Sequence, residues 1–127
     1  MSDRFERGLA VRKEVLGSDY VEKSLSQADE FSRPLQELVT EYCWGAIWTR
    51  DGLPRRTRSL LNLAMLATLN RQHELKLHVM GALRNGCTEK EIQETLLQVT
   101  IYAGVPAGVE AFRTARAAIS EHKAEGK

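Results

Sequence analysis

His78 is the residue of this chain whose sequence surroundings best suit acid–base chemistry. It lies in the segment ELKLHVMGALRNG among Leu75, Val79 and Ala82, whose spacing makes one apolar face of a helix. Glu74 precedes it by one helical turn, so the two side chains can hydrogen-bond on the same flank. A carboxylate beside an imidazole fixes the tautomer and raises the pKa, which suits a proton donor near neutral pH. From spacing alone, however, the favoured interpretation is a half-buried histidine in a structural Glu-His pair.

The segment EYCWGAIWTRDGLPRRTRS offers a second set of groups, suited to binding a carboxylate. Trp44 and Trp48 are four residues apart and share a helix face with Glu41. Two indoles make an apolar wall, and an arginine binds a carboxylate through two parallel hydrogen bonds. The arginines of this segment are Arg50, Arg55, Arg56 and Arg58. Because a helix start does not favour cations, the cluster indicates a functional or interface role; core tryptophans beside solvated arginines are the alternative.

Other signals for chemistry are weaker. Tyr102 in IYAGVPAG can donate its hydroxyl to an oxyanion, although a helical tyrosine more often has a packed ring. His73 and His78 are five residues apart, which aligns them poorly for a shared metal ion. The sequence contains no phosphate loop, nucleophile elbow or dinucleotide fingerprint. It therefore predicts no metal site and no nucleophile triad.

Helices have to position these groups, because no stretch shows strand alternation between hairpin turns. The first helix is predicted from about Asp3 to Leu16, with Ser2 as its N-cap and Gly17 as its stop. A helix capped by Ser32 is predicted to follow. Its expected buried face consists of Leu35, Leu38, Val39, Tyr42 and Cys43.

The second half of the chain is also predicted to be helical. Pro54 starts a helix that is apolar on most sides, as is typical of a central helix or one wedged between subunits. The His78 helix ends at Asn85-Gly86, and a Thr88–Glu91 capping box opens the next helix, its predicted antiparallel neighbour. The last helix is predicted over about 107–122. We therefore expect an all-α fold, a single-domain bundle of about six helices over residues 1–127.

Composition excludes several classes of function. With 127 residues, 43% of them hydrophobic, the chain can build one core without disulfides or metal. A net charge of +1 with interspersed signs gives no basis for nucleic-acid or membrane binding. Cys43 and Cys87 form no CxxC pair, and the charged N-terminal segment does not resemble a signal peptide, so a reduced cytoplasmic protein is expected.

The segments EYCWGAIWTRDGL, RTRSLLNLAMLATLNR and ELKLHVMGALRNGCTEKEIQETLLQVTIYAGVPAGVEAF together resemble the carboxymuconolactone decarboxylase family. RFERGLAVRKEVLGSDYV is similar to the N-terminal pattern of its γ-carboxymuconolactone decarboxylase subgroup, so the resemblance covers nearly the whole chain. It implies an all-helical, alkylhydroperoxidase D-like fold and a homo-oligomer, a trimer or a hexameric ring of trimer pairs. It also implies decarboxylation of 4-carboxymuconolactone to 3-oxoadipate enol-lactone, without a cofactor, in the protocatechuate branch of β-ketoadipate catabolism.

The resemblance implies roles for the candidate residues. The protein has to anchor a carboxylate of a lactone dicarboxylate substrate, stabilise the lactone oxyanion and deliver one proton. His78 is then the proton donor, oriented by Glu74 or Glu41. The remaining candidates are Arg50 and Arg58 for the carboxylate, Trp44 and Trp48 for an apolar wall, and Tyr102 as a weaker oxyanion donor.

Two alternatives remain open within the same fold. Peroxide reductases of this fold carry a CxxC pair followed by histidine, and here Arg71 and Glu74 stand where those cysteines would. A peroxide reductase would therefore have to use Cys87, at a helix N-terminus where the dipole can lower a thiol pKa. The other alternative is a small-ligand binder without catalytic activity.

Overall fold

The computed structural model describes residues 2–126, and within that range every regular element is helical, which confirms the all-α prediction. Seven α-helices and one π-helix are present where about six helices are predicted. They are α1 Asp3–Leu16, α2 Ser18–Ser26, α3 Arg33–Leu38, the π-helix Val39–Ile47, α4 Arg55–Thr68, α5 Gln72–Arg84, α6 Glu89–Ala103 and α7 Val105–Glu125. None of these described helices is long and apolar enough to cross a membrane.

Local capping signals place several helix ends where the sequence predicts them. The Ser2 side chain accepts a hydrogen bond from the Phe5 backbone N–H, and α1 ends at Gly17, whose φ is +95°. Thr88 and Glu91 form the predicted capping box at the start of α6. The last helix begins at Val105, two residues before its predicted start. Pro106 can occupy the first turn because the N–H that proline lacks would have no partner within the helix at that position.

The described residues form two compact units, divided between Pro54 and Arg55. In the N-terminal unit, α1 packs along the π-helix at two glycines. A Cβ on Gly8 would clash with the Thr40 carbonyl oxygen and lie 2.6 Å from the Gly45 nitrogen. A Cβ on Gly45 would in turn clash with the Arg4 carbonyl oxygen. The glycines therefore permit a backbone approach that no other residue allows.

Arg12 of α1 makes polar contacts with both α3 and the π-helix. It is buried, and its Nη1 donates to Gln36 Oε1 and to Thr40 Oγ1, both at 3.0 Å. Burial lowers the pKa of Arg12 below its ordinary value, an effect that nearby Tyr20 and Cys43 partly oppose. An arginine within an amphipathic N-terminal helix gave no sequence signal for this role.

The predicted buried face of the helix after Ser32 is wrong. Leu35, Leu38 and Tyr42 are each more than half exposed, and Cys43 is also exposed. The chain continues from α3 into a π-helix, in which the Trp48 N–H bonds to the Cys43 carbonyl five residues earlier. This wider turn changes which residues share a face. The buried residues of the π-helix and its C-cap are Thr40, Trp44, Gly45 and Trp48.

The C-terminal unit has its own apolar core between α4, α5, α6 and α7. The larger side chains of this core are Leu63, Leu75, Val79, Met80, Ile92, Leu96 and Val99. Helices α5 and α6 do not form the close antiparallel pair that their short connection predicts, because each packs mainly against α4 and α7. Gly86, with φ +90°, lies in the α5–α6 connection, as the Asn85-Gly86 pair predicts. Consequently α4, and not α6, is the helix that faces the His78 region of α5.

Candidate active site

His78 contacts α4 through an amide side chain. Its ring is partly buried, and the amide nitrogen Nδ2 of Asn62 lies 3.4 Å from the ring nitrogen Nδ1. Asn62 is a polar residue on a largely apolar helix, next to the core residue Leu63. The structure therefore brings an uncharged hydrogen-bonding partner to His78, which the sequence analysis did not identify.

Burial, more than the neighbouring carboxylate, governs the charge of His78. Burial lowers the pKa of His78 to about 4, although the negative charge of Glu74 acts in the opposite direction. The expectation that Glu74 raises the pKa of this histidine to a neutral-pH value is thus wrong in its net effect. The cause is desolvation, which a sequence pattern does not show. At neutral pH the ring is an uncharged imidazole with one N–H donor and one acceptor nitrogen.

Arg58, one helical turn before Asn62, has an N–H donor without an acceptor in the described part of the chain. It precedes Asn62 by four residues on α4, so the two side chains leave the same face of the helix. Its Nε–H is buried and has no acceptor among residues 2–126. An unsatisfied buried donor on a charged group is costly, and a bound carboxylate would satisfy it with a charge-assisted hydrogen bond.

The neighbouring Arg56 has a structural role instead. Its Nη2 donates to both carboxylate oxygens of Glu91, the capping-box residue of α6. This bond raises the pKa of Arg56 and lowers that of Glu91. Arg50 lies exposed in the turn after the π-helix. Of these three arginines, Arg58 is therefore the one with a buried, unsatisfied donor.

Trp44 and Trp48 form a stacked pair inside the N-terminal unit. Their ring centroids are 4.8 Å apart with an interplanar angle of 25°, and their exposed fractions are 3% and 5%. Stacked indoles at this separation stabilise the unit beyond the area they bury. Glu41, on the same π-helix, accepts a hydrogen bond from the Ser2 hydroxyl at 3.3 Å. The two indoles are therefore a buried, stacked pair, and the apolar wall that they are predicted to form against a substrate stays a prediction.

Tyr102 lies in a different groove of the C-terminal unit. Its side chain is 85% exposed and lines a cleft of about 350 Å³ between α4 and α6. The apolar residues of this cleft are Leu60, Leu61, Ala64 and Val99. His78 is not among the described residues that line it, so the structure does not bring Tyr102 and His78 into one cleft.

The cysteine predicted as an alternative reactive group is not activated. Cys87 is buried, and its Sγ–H donates to the Arg56 carbonyl at 3.5 Å. Burial and the Glu91 carboxylate raise the pKa of Cys87, outweighing the effect of the Arg56 guanidinium. The expected lowering by the helix N-terminus is therefore wrong, and the thiol lacks the thiolate character that peroxide chemistry needs. Within residues 2–126 there is also no group of three or more metal-binding side chains.

These features define an all-α protein whose C-terminal unit offers a neutral imidazole and an incompletely satisfied guanidinium, groups suited to a small carboxylate ligand. The chain belongs to the carboxymuconolactone decarboxylase family, whose family model matches residues 33–117. This result confirms the family that the sequence motifs predict.

Two relatives are named for decarboxylation. The chain is 45% identical over 123 residues to nitrosuccinic acid decarboxylase of Metarhizium robertsii, a match that covers 97% of this chain and 86% of that relative. It is 41% identical over 112 residues to 4-carboxymuconolactone decarboxylase of Acinetobacter baylyi, covering 88% of this chain and 84% of that relative. Both relatives are carboxy-lyases by name, which agrees with the enzyme class predicted from the sequence.

Proposed function

We propose that this protein is a carboxy-lyase that converts 4-carboxymuconolactone to 3-oxoadipate enol-lactone, within protocatechuate and β-ketoadipate catabolism. The observation that carries the proposal is the 41% identity, over 88% of the chain, to a 4-carboxymuconolactone decarboxylase. Family membership over residues 33–117 supports the same class of reaction. Both cysteines are free, which agrees with a reducing compartment such as the cytoplasm.

The reaction requires charge to be stabilised on the substrate. The bond between the carboxylate carbon and the ring carbon breaks, CO2 leaves, and the electron pair enters the ring as a dienolate. This dienolate is delocalised into the lactone carbonyl, so the substrate supplies its own electron sink and we propose that no cofactor takes part. A proton then adds to the carbon next to that carbonyl and gives the enol-lactone.

His78 is proposed to donate a hydrogen bond to the lactone oxygen as this oxygen gains negative charge. A neutral imidazole N–H suits that role, because donors aimed at developing charge stabilise a transition state strongly. With a pKa of about 4, only about one ring in a thousand is an imidazolium at pH 7, so a role as proton donor is poorly supported. The proton that completes the reaction is therefore proposed to come from solvent water.

Arg58 is proposed to anchor the carboxylate that the substrate retains. Its buried, unsatisfied Nε–H supports this choice over Arg50, which lies exposed in a turn. Three further roles stay predictions. They are the orientation of His78 by Glu41, the apolar wall of Trp44 and Trp48, and the oxyanion donor Tyr102. Glu74 acts on His78 only through its charge in this proposal, by partly opposing the effect of burial on the pKa.

A second substrate is favoured by the 45% identity to a nitrosuccinic acid decarboxylase. Nitrosuccinate also has two carboxylates, and its nitro group is an electron sink on the carbon that would lose CO2. The charge developed there rests on nitro oxygens, which the same N–H donor would stabilise, while the second carboxylate would bind the same guanidinium.

The experiment that separates these substrates uses the purified full chain with each compound in turn. The lactone is followed by its ultraviolet absorbance, and CO2 release is measured for both. We expect kcat/KM to be at least about tenfold higher for the lactone. The reverse order would move the assignment to nitrosuccinate, and CO2 release from neither would contradict a decarboxylase and favour the ligand-binding alternative.

A homo-oligomer is also proposed, a trimer or a hexamer. The C-terminal unit exposes large apolar side chains on α4, α6 and α7 and in the turn after α4, more than is usual for surfaces left in water. They are Leu61, Met65, Leu69, Leu97, Ile101, Tyr102, Val105 and Val109. Light scattering on the purified chain should give three or six times the 14.3 kDa chain mass. A monomer at micromolar concentration would contradict this proposal.

A further inference from the structure

Asn62 and His78 form a polar contact between α4 and α5, in addition to the hydrogen bond that Asn85, the C-cap of α5, donates to Ser59 of α4. The Asn62 amide nitrogen faces His78 Nδ1 at 3.4 Å, within a unit whose α4–α5 packing is built from residues such as Leu63, Leu75 and Val79. An amide placed beside an apolar core is retained at a cost unless it forms a hydrogen bond. The ring of His78 supplies that bond.

With the amide nitrogen of Asn62, rather than its oxygen, facing Nδ1, the contact indicates which ring nitrogen carries the proton. An amide NH2 can only donate, so the Nδ1 atom that it faces has to accept and cannot itself hold a hydrogen. In a neutral imidazole the single proton then resides on Nε2. The opposite tautomer would place two N–H groups of Asn62 and His78 against each other.

We propose that Asn62 is a positioning residue that holds His78 as the Nε2–H tautomer, so that Nε2 is the nitrogen that donates to the substrate oxyanion. The assignment of the tautomer is argued from the contact with Asn62. The consequence for the substrate rests on the proposed function.

The electrostatics around His78 agree with this assignment. Burial keeps the ring neutral at physiological pH, and only a neutral ring has a tautomer to be chosen. The charged group that acts on the ring from its own helix is Glu74, on the preceding turn of α5. Arg58 leaves the same face of α4 as Asn62, one turn away. Arg58 on α4 would therefore bind the substrate carboxylate, while His78 on α5 supplies the Nε2–H donor.

The first experiment needs no substrate. Nitrogen-15 NMR of the histidine rings in the full chain distinguishes the two tautomers, with Asn62→Asp as the perturbing change. The wild-type protein should show His78 with an unprotonated Nδ1 and a protonated Nε2. Because a carboxylate only accepts, Asn62→Asp should reverse the tautomer to Nδ1–H. A wild-type ring protonated on Nδ1, as if the amide oxygen faced it, would overturn the proposal.

The second experiment is kinetic and includes a matched control. Asn70→Asp makes the same chemical change on an exposed residue whose side chain accepts a hydrogen bond from Gln72, an acceptor that aspartate keeps. Asn62→Asp should lower kcat about a hundredfold with little change in KM, whereas Asn70→Asp should leave both unchanged. Asn62→Leu, which removes the bond without adding charge, should give a mixture of tautomers and an intermediate kcat.

The outcomes keep the two proposals separable. Wild-type kcat in Asn62→Asp, together with a reversed tautomer, would show that Nε2–H is not the donor and would overturn the role of Asn62. Failure of the wild-type protein to decarboxylate either substrate would contradict the proposed function, while the NMR result would still decide the tautomer.

Discussion

Glu74 and His78 lie on successive turns of α5, yet the carboxylate does not keep the imidazole protonated at neutral pH. Burial lowers the pKa of His78 to about 4 against the opposing charge of Glu74. The pair resembles a carboxylate–histidine dyad in sequence, but in the fold the histidine is a neutral hydrogen-bonding group. This difference decides how the pH dependence of the enzyme should look.

The pH profile distinguishes a neutral donor from an imidazolium acid. The profile of kcat/KM reports the ionisation of the free enzyme, and above the pKa of His78 the neutral ring is the main form. We expect kcat/KM for the lactone to be flat between about pH 5.5 and 8. If the imidazolium were the proton donor, kcat/KM would fall about tenfold per pH unit over that interval. His78→Gln should abolish any remaining dependence near pH 4.

Replacing each candidate arginine identifies the carboxylate anchor. Arg58→Gln should raise KM by about 10- to 100-fold, since a hydrogen bond to a charged group contributes about 1.5–3 kcal/mol. Arg50→Gln is the matched comparison, with the same charge change at an exposed position. Steady-state kinetics on both variants settle the choice. A raised KM in Arg50→Gln alone would transfer the anchoring role to Arg50.

The close packing of α1 on the π-helix should be sensitive to a single methyl group. Gly8→Ala places a Cβ against the Thr40 carbonyl and the Gly45 backbone, so it should lower the free energy of unfolding by about 1–3 kcal/mol. Urea unfolding followed by tryptophan fluorescence measures the effect. Gly52→Ala, whose Cβ would have no neighbour within 4 Å, is the control and should change little. Equal stability of the two variants would refute the packing argument.

Cys87 should not support peroxide reduction. Burial raises the pKa of its thiol, so at neutral pH it is a protonated group that donates to the Arg56 carbonyl. Wild-type protein and Cys87→Ser should consume peroxide at the same background rate, and both should decarboxylate the lactone. Peroxide consumption that depends on Cys87 would revive the peroxidase alternative.

The sequence predicts those parts of the fold that depend on neighbouring residues along the chain. The Ser2 and Thr88 caps and the left-handed Gly86 arise from local hydrogen bonds and backbone conformation, and all are present. The buried face after Ser32 is predicted wrongly. From Val39 onward the π-helix shifts the side-chain register, and its contact with α1 buries Thr40 and Gly45.

In the candidate site, too, local features are predicted from the sequence and features set by helix packing are not. The sequence identifies His78 by its residue type and its position on an apolar face. Neither its lowered pKa nor its contact with Asn62 follows from spacing, because both depend on how α4 packs against α5. A polar residue inside the apolar run that follows Ser59, four positions after an arginine, is the sequence signal that could have identified Asn62.

The most direct test of the account is lactone turnover by His78→Ala and His78→Gln beside the wild-type chain. We predict that the wild-type protein releases CO2 from 4-carboxymuconolactone and that each variant lowers kcat by at least about a hundredfold. Circular dichroism and light scattering should confirm that the variants keep the helical fold and the assembly of the wild type. Near-normal turnover in both variants would remove His78 from the mechanism and contradict the account.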